Sequence, residues 1–381
     1  MKKKNIAILG LGTVGYGVYD IVSKSEYLKD INIKYILDKD LSKQELVKGK
    51  VTNSIDEILN DNEVEVIIEC MGAKDFSYYC IKESLLKGKS VVTANKEVVA
   101  AHIKELTAIK ESKNVSLYYE ASVGGGIPII KPLFNASLIN DIDEIKGILN
   151  GTTNFILTKM TNEKMSFKDA LKLAQDLGFA EADPTADLEG LDMVRKIAIL
   201  SSIAYKYEVD PEKVYHYGIT TLNEKDIEFA EKNNKKIKLL ASSKLVGNEI
   251  ELRIEPVLIE KGQMISSVDY EFNIIEVNCS YNDKLIFYGK GAGRYPTANA
   301  MVNDLIMVLN NDKNYTFIEE GNKSIKQLNS NSKYYLRVKD LKNINKDIID
   351  IIDNNQIITK EINFKEINNI LNDVFFYAKI D

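Results

Sequence analysis

One six-residue stretch near the start, Gly10-Leu11-Gly12-Thr13-Val14-Gly15, constrains this chain more than any other part of it. It follows the apolar run 6–9 and opens a helical pattern, so its glycines stand at a strand-to-helix turn. Gly10 permits the tight turn, Gly12 lets the backbone approach a pyrophosphate, and Gly15 lets helix and strand pack closely. Free N–H groups and the dipole at the helix start then favour phosphate charge. A dinucleotide held by Gly10, Gly12, Thr13, Val14 and Gly15 is the expectation. The surroundings agree. Strand candidates at 6–9, 33–37, 64–70, 90–93 and 116–119 alternate with helical segments such as 15–23 and 77–87. That pattern predicts an α/β domain of Rossmann type over residues 1–130: a doubly wound parallel sheet with helices on both faces.

The second candidate strand ends Leu37-Asp38-Lys39-Asp40. Asp38 could accept hydrogen bonds from an adenosine ribose and favour NAD, while Lys39 could neutralise a 2′-phosphate and favour NADP. Both choices stay open. Residues 131–300 change character, with candidate strands at 143–149, 250–258 and 274–279 beside helices at 166–178, 188–205 and 224–240. This predicts an α+β second domain. A polar stretch at 311–332 reads as a linker, and 330–381 reads as a small α+β tail: strand at 333–339, helix at 346–354, strand at 356–363, then the apolar run 367–380.

Composition narrows the partners. A net charge of −6 over 381 residues argues against a nucleic-acid binder, which needs a basic face to displace counterions. No stretch approaches the roughly 18 apolar residues of a membrane span, and the glycines at 10, 12 and 15 break the only run resembling a secretion signal. Cys70, Cys80 and Cys279 have neither metal-ligand nor disulfide spacing, which suits a reducing cytoplasm. A soluble protein is expected.

Four further segments point to the chemistry: Thr93-Ala94-Asn95-Lys96, the run from Glu120 through Gly124-Gly125-Gly126 to Pro128, Gly147-Ile148-Leu149-Asn150-Gly151-Thr152-Thr153-Asn154-Phe155, and 178–200. The last contains Glu181-Ala182-Asp183-Pro184-Thr185-Ala186-Asp187 and Glu189-Gly190-Leu191-Asp192-Met193-Val194-Arg195-Lys196. Taken alone, Asp192 and Lys196 are an i,i+4 pair on one helix face, of a kind worth only tenths of a kcal/mol when exposed. Asp187 reads as the N-cap of a helix starting at 188. In order and spacing, however, these segments resemble the homoserine dehydrogenase family over roughly residues 5–310.

The resemblance implies NAD(P)H-dependent interconversion of L-aspartate 4-semialdehyde and L-homoserine, in threonine, methionine and isoleucine synthesis. By position, Lys196 matches the proton donor, Glu181 and Asp192 the carboxylates that hold the substrate ammonium, and Lys96 a lysine between cofactor and substrate. Gly151 and Thr152 border the substrate and Asp187 supports the same region. Glu120, Val123, Gly125 and Ile127 match a loop that holds a monovalent cation such as Na+, and the segment from Gly289 through Gly293 to Ala298 precedes a helix near 295–310 that returns to the cofactor domain. The family also implies a homodimer paired through the second domain. Lysine suits the chemistry, because reducing an aldehyde leaves an alkoxide that an ammonium can stabilise and protonate.

Phe179 stands where family members often have tyrosine. The segment Tyr334-Tyr335-Leu336-Arg337-Val338-Lys339-Asp340 resembles the first strand of an ACT regulatory domain, but Leu341-Lys342-Asn343 replaces the usual Pro-Gly and the tail is short. Threonine inhibition is the expectation for a working tail, and an unchanged rate at saturating threonine rules it out. Two rivals remain. An acylating semialdehyde dehydrogenase needs an activated cysteine, which no cysteine here has the surroundings to supply. A non-catalytic nucleotide sensor has no use for Glu181, Asp192 and Lys196 together.

Overall fold

The strands expected within the first 130 residues all form in the computed structural model, which describes residues 4–312, 317, 319–326 and 330–381. In chain order the elements begin β1 (Lys4–Leu9), α1 (Thr13–Lys24), β2 (Ile31–Leu37), β3 (Lys50–Thr52), α2 (Ile55–Leu59), β4 (Val64–Glu69), α3 (Lys74–Leu86), β5 (Ser90–Thr93), α4 (Lys96–Lys113), β6 (Leu117–Tyr118) and α5 (Ile130–Ser137). They continue with β7 (Ile142–Ile148), α6 (Gly151–Glu163), α7 (Phe167–Asp176), α8 (Thr185–Leu188), α9 (Leu191–Tyr205), β8 (Tyr215–His216), α10 (Glu224–Lys232), β9 (Lys235–Val246), β10 (Glu249–Glu260), β11 (Phe272–Cys279), β12 (Asp283–Lys290) and α11 (Arg294–Leu309). The last are β13 (Ser324–Ile325), β14 (Asn331–Val338), β15 (Ile349–Asp353), β16 (Gln356–Thr359), β17 (Ile362–Asn363), α12 (Phe364–Ile370) and β18 (Val374–Ile380).

The chain divides into two compact units. The first comprises the described residues of 1–139, 198–211 and 289–320. Its six strands run in the order β3-β2-β1-β4-β5-β6, all parallel. Ile6, Ala7, Ile8 and Leu9 in β1 and Val66, Ile67 and Ile68 in β4 are buried, as a parallel strand covered on both faces requires. The strand order reverses between β1 and β4, and ligands of such sheets bind beyond the carboxyl ends of the strands at that point. Helix α11 lies on α1 at Gly17, where an added Cβ would come 2.9 Å from that of Ala298.

The second unit comprises the described residues of 140–197, 212–288 and 321–381. Its mixed sheet runs β12-β11-β7-β9-β10-β18-β14-β16-β15. β10 is the axis. Its one edge pairs with β9 along its whole length, while the short strands β13, β8 and β18 share the other, at Ile250↔Ile325, Arg253↔Tyr215 and Val257↔Lys379. The tail therefore continues this sheet. Its antiparallel order β18-β14-β16-β15 puts the tail's last strand beside its first, then its third and second.

Three expected helices differ. The helix expected at 224–240 stops at Lys232, because Asn234 adopts φ +55° and the following residues pair with β10 as β9. The helix expected at 188–205 is broken at Gly190 (φ +79°) into α8 and α9, since an added Cβ there would come 2.7 Å from Ile254 Cγ2. Asp187 is thus no N-cap; it lies inside α8, and Asp183 makes the turn by accepting from the Thr185 N–H at 3.1 Å. The helix expected at 346–354 is instead strand β15, turned into β16 through Asn354 (φ +54°). Its β-branched isoleucines suit a strand at least as well as a helix. The expected linker holds β13, while its residues 313–316, 318 and 327–329 lie outside the described residues.

Candidate active site

At the end of β1, Gly10 takes φ +94° and donates its N–H to Leu37 O at 2.8 Å. An added Cβ on Gly10 would meet Met71 Cγ at 3.0 Å, and one on Gly15 would come 1.9 Å from Gly10 O. Gly12, the N-cap of α1, faces open space. The two outer glycines are demanded by packing, while the space beside the middle one is open. Thr13 and Val14 form the first turn of α1, which carries no acidic side chain. A helix start of this kind favours negative charge.

Beside it, Asp38 is fully engaged. Its Oδ2 accepts from the Leu11 N–H at 3.0 Å and from Lys43 Nζ at 2.8 Å, and its Oδ1 from the Asp40 N–H at 2.9 Å. Burial works to raise its pKa, but Lys43 and the two N–H groups together hold it below the usual carboxylate range. Lys39, the expected cation, is exposed; Lys43 occupies that role in contact and also donates to Leu11 O at 3.3 Å. Nothing in the sequence pattern marked Lys43. At the switch point, Glu69 is wholly buried and accepts from the Met71 N–H, Ser77 Oγ and Thr93 Oγ1. Half-buried Lys96 begins α4, whose N-cap is Asn95.

The Glu120 carboxylate is also buried, and it caps α5. Its Oε1 accepts from the N–H groups of Ile129 and Ile130 at 2.6 Å and its Oε2 from that of Lys131 at 3.0 Å. Gly125 adopts φ +57° directly against Gly291 O, and Gly126 donates to Lys290 O. Val123 and Ile127 are buried alongside. Among the described residues no cluster of three His, Cys, Asp or Glu side chains could hold a metal. Gly293 (φ +115°) forms the turn into α11.

In the second unit, β7 leads through Leu149 and Asn150 into α6, and α9 brings Asp192 and Lys196 to the same place. Lys196 Nζ donates to Asp192 Oδ2 and to Leu149 O, each at 2.7 Å. The two side chains are 11% and 12% exposed, so this is not the surface pair that spacing alone would suggest. Asn150 Nδ2 donates to Asp187 Oδ1 at 2.7 Å and to Asp192 Oδ2 at 3.0 Å. Burial, then repulsion from Asp192, push the Asp187 pKa up, against the pull of Asn150 and Lys196. Gly151 leaves no space for a side chain, since a Cβ would lie 2.8 Å from Glu271 O. Thr152 Oγ1 donates to Phe179 O at 2.6 Å, fixing the loop that leads to Glu181.

Glu181 itself is exposed, and among the described residues its carboxylate makes no hydrogen bond or ion pair with the Asn150–Lys196 cluster. Lys196, Asp192, Asp187, Gly151 and Thr152 are therefore gathered, and Glu181 stands apart. Asn150 and buried Lys238 were not anticipated. Lys238 donates to Asn154 Oδ1 and Val268 O, and Asn154 Nδ2 donates to the carbonyls of Val268, Tyr270 and Phe272. These bonds hold the segment 268–272 behind Gly151. No helix among the described residues is long and apolar enough to cross a membrane.

The family described as homoserine dehydrogenase matches residues 128–306, and the NAD binding domain of homoserine dehydrogenase matches residues 10–120. A homoserine dehydrogenase of Bacillus subtilis is 40% identical over 320 residues, covering 82% of this chain and 74% of its own. One from Helicobacter pylori is 40% identical over 315 residues, covering 81% and 74%. The crystal structure of a Thiobacillus denitrificans homoserine dehydrogenase superposes with a TM-score of 0.89 at 31% identity, over 99% of this chain and 98% of that one. A hyperthermophilic archaeal homoserine dehydrogenase in complex with NADPH gives 0.69 at 25% identity, over 82% of this chain and 99% of its own.

Proposed function

The chain belongs to the homoserine dehydrogenase family of oxidoreductases, and from that premise we propose that it interconverts L-aspartate 4-semialdehyde and L-homoserine with Lys196 as proton donor. The observation that carries this is the buried cluster in which Lys196 pairs with Asp192 and Asn150 bridges Asp192 to Asp187. Its acids exceed its cations by one, so an incoming substrate ammonium balances the charge. An ammonium has three N–H groups, and two of those on Lys196 are held by Asp192 and Leu149. The third is left for the substrate oxygen.

The dinucleotide, when bound at Gly10, Gly12, Thr13, Val14 and Gly15, supplies hydride to the aldehyde carbon or takes it from the alcohol. Lys196 stabilises the oxygen that gains charge and gives it a proton, and it takes that proton back in the oxidative direction. Asp192 aims the ammonium. Asp192 and Glu181 hold the substrate ammonium, Asp187 supports them, and Gly151 and Thr152 border the carbon chain. Lys96 at the start of α4 and Gly293 at the start of α11 serve the nicotinamide side of the cofactor. Glu120, through the lone pairs its N–H partners leave on Oε2, joins the carbonyls of Val123, Gly125 and Ile127 around a monovalent cation.

Cofactor choice turns on Asp38 and Lys43. The ion pair neutralises Asp38, so a 2′-phosphate meets a cation with less repulsion, and both nucleotides are accepted with NADPH favoured. The first unit is proposed as the cofactor domain, the second as the substrate and pairing domain of a homodimer, with 330–381 as an ACT-like extension of its sheet. A monomer mass by light scattering would count against the dimer. The testing assay follows nucleotide absorbance with aspartate semialdehyde: NADPH and NADH should both be consumed. Lys43→Met should lower kcat/KM with NADPH about tenfold and leave NADH nearly unchanged, the loss of one charge-assisted contact. No consumption of either nucleotide contradicts the reading; an unaltered NADPH preference removes Lys43 from it.

A further inference from the structure

Three charged side chains of the second unit converge on two consecutive uncharged residues. Leu149 offers its carbonyl to Lys196, and Asn150 offers one amide nitrogen to both Asp187 and Asp192. We propose that Asn150 is a positioning residue of the reaction: its amide nitrogen fixes the two carboxylates and, through Asp192, aims the Lys196 ammonium. The inference rests on the reading of the cluster as the substrate site.

Asn150 is 4% exposed and its amide is fully used. Its Oδ1 accepts from the Thr153 N–H at 2.9 Å and from the Thr153 hydroxyl at 3.0 Å, which makes it the N-cap of α6. Its two Nδ2 hydrogens go to the two acids. An asparagine amide has two donors and two acceptor sites, so none is left over. The orientation follows from the network, because the flipped amide would set its oxygen against two carboxylates and its NH2 against the Thr153 N–H.

The chemical type matters as much as the place. Two acids this close repel, and a donor between them holds them in place. A lysine or arginine here would supply that donor but would also neutralise an acid and compete with a substrate ammonium. A serine has one hydrogen and cannot reach both acids as a donor. The amide is neutral and donates twice. It orders the acids while keeping their excess negative charge for the substrate.

Asn150 also sits on rigid ground. It joins the end of β7 to a thirteen-residue helix whose Asn154 is itself tied to three carbonyls. The direction in which Lys196 points is thereby set by the β7–α6 junction, although the lysine belongs to α9.

The test uses the full-length enzyme and Asn150→Asp. Aspartate keeps the size and remains a good N-cap, but it replaces the donor with a third carboxylate facing the two acids. The expected result is a kcat for homoserine oxidation lower by at least about 30-fold, the scale of a lost charge-assisted hydrogen bond, with the nucleotide KM within about twofold. Asn150→Ser, which keeps the cap and one hydroxyl donor, should recover part of that kcat. Asn150→Asp with kcat within about threefold of wild type overturns the proposal. If that variant does not fold, Asn150→Ser decides: a lower kcat at an unchanged nucleotide KM supports the role, and wild-type kcat overturns it. A wild-type enzyme that turns over neither homoserine nor the semialdehyde overturns the functional reading and this inference with it, whereas an active wild type with an indifferent Asn150→Asp overturns this inference alone.

Discussion

At the end of β4 the Glu69 carboxylate lies wholly buried between two hydroxyls and one N–H, beside the cofactor cradle. Burial dominates over these donors and raises its pKa from 4.5 to about 7. Between those values the folded chain keeps a proton that the unfolded chain has lost, so this group's contribution to stability falls as pH rises through that window. Melting temperatures taken from pH 5 to pH 8 should decline less in Glu69→Gln than in wild type; parallel curves would refute this. Charged side chains are where sequence reading reached least far. Lys196 and Asp192 were legible because their spacing belongs to a specific segment, but their burial was not. Lys43 was invisible, since a lysine in a short turn carries no pattern until folding sets it 2.8 Å from Asp38. Asn150 read only as part of a motif, because its partners Asp187 and Asp192 lie about forty residues away in the chain.

Among the elements, α8 and α9 depend on a single break. Gly190 turns the chain at φ +79° against Ile254, and Gly218 packs against Leu188 O at 2.0 Å from where its Cβ would be. Leu188 O in turn accepts from the Ile219 N–H at 2.9 Å, so α8 and the Asp187 it carries are set from both sides. Gly190→Ala adds a methyl into Ile254 at a strained backbone angle and should cost about 1–3 kcal/mol, read as a lower denaturation midpoint. It should also reduce turnover by shifting Asp187. A variant as stable and active as wild type would show that the break is incidental. The parallel strands were legible because continuous apolar runs between glycine turns have one reading. The helix expected at 224–240 was not, because the sequence from Lys235 onward suits either state until β10 offers it twelve paired positions.

For the whole molecule, the tail at 330–381 is bound into the second unit's sheet rather than appended to it. Tyr377 donates to Glu255 Oε2 at 3.3 Å and meets Tyr215 at 3.0 Å, while Arg253 pairs with Glu255 at 3.2 Å and lies 5.5 Å from the Phe364 ring. Arg253 and Glu255 are buried, so removing the tail leaves an edge of β10 unpaired and two charges stripped of their cover. A chain ending before residue 330 should be insoluble or lack a cooperative melting transition; a soluble, active truncation would contradict this. The tail's strand order was beyond sequence reading, because one expected helix is a strand and its partner strand β10 lies more than a hundred residues earlier.

The central claim concerns one amine. Lys196→Met keeps most of the stem's bulk and removes the charge, and its steady-state turnover of homoserine is the most direct measurement. The prediction is a kcat lower by about 100- to 10,000-fold, with the nucleotide dissociation constant, read by fluorescence, changed by no more than about threefold. Turnover within tenfold of wild type would place the proton donor elsewhere.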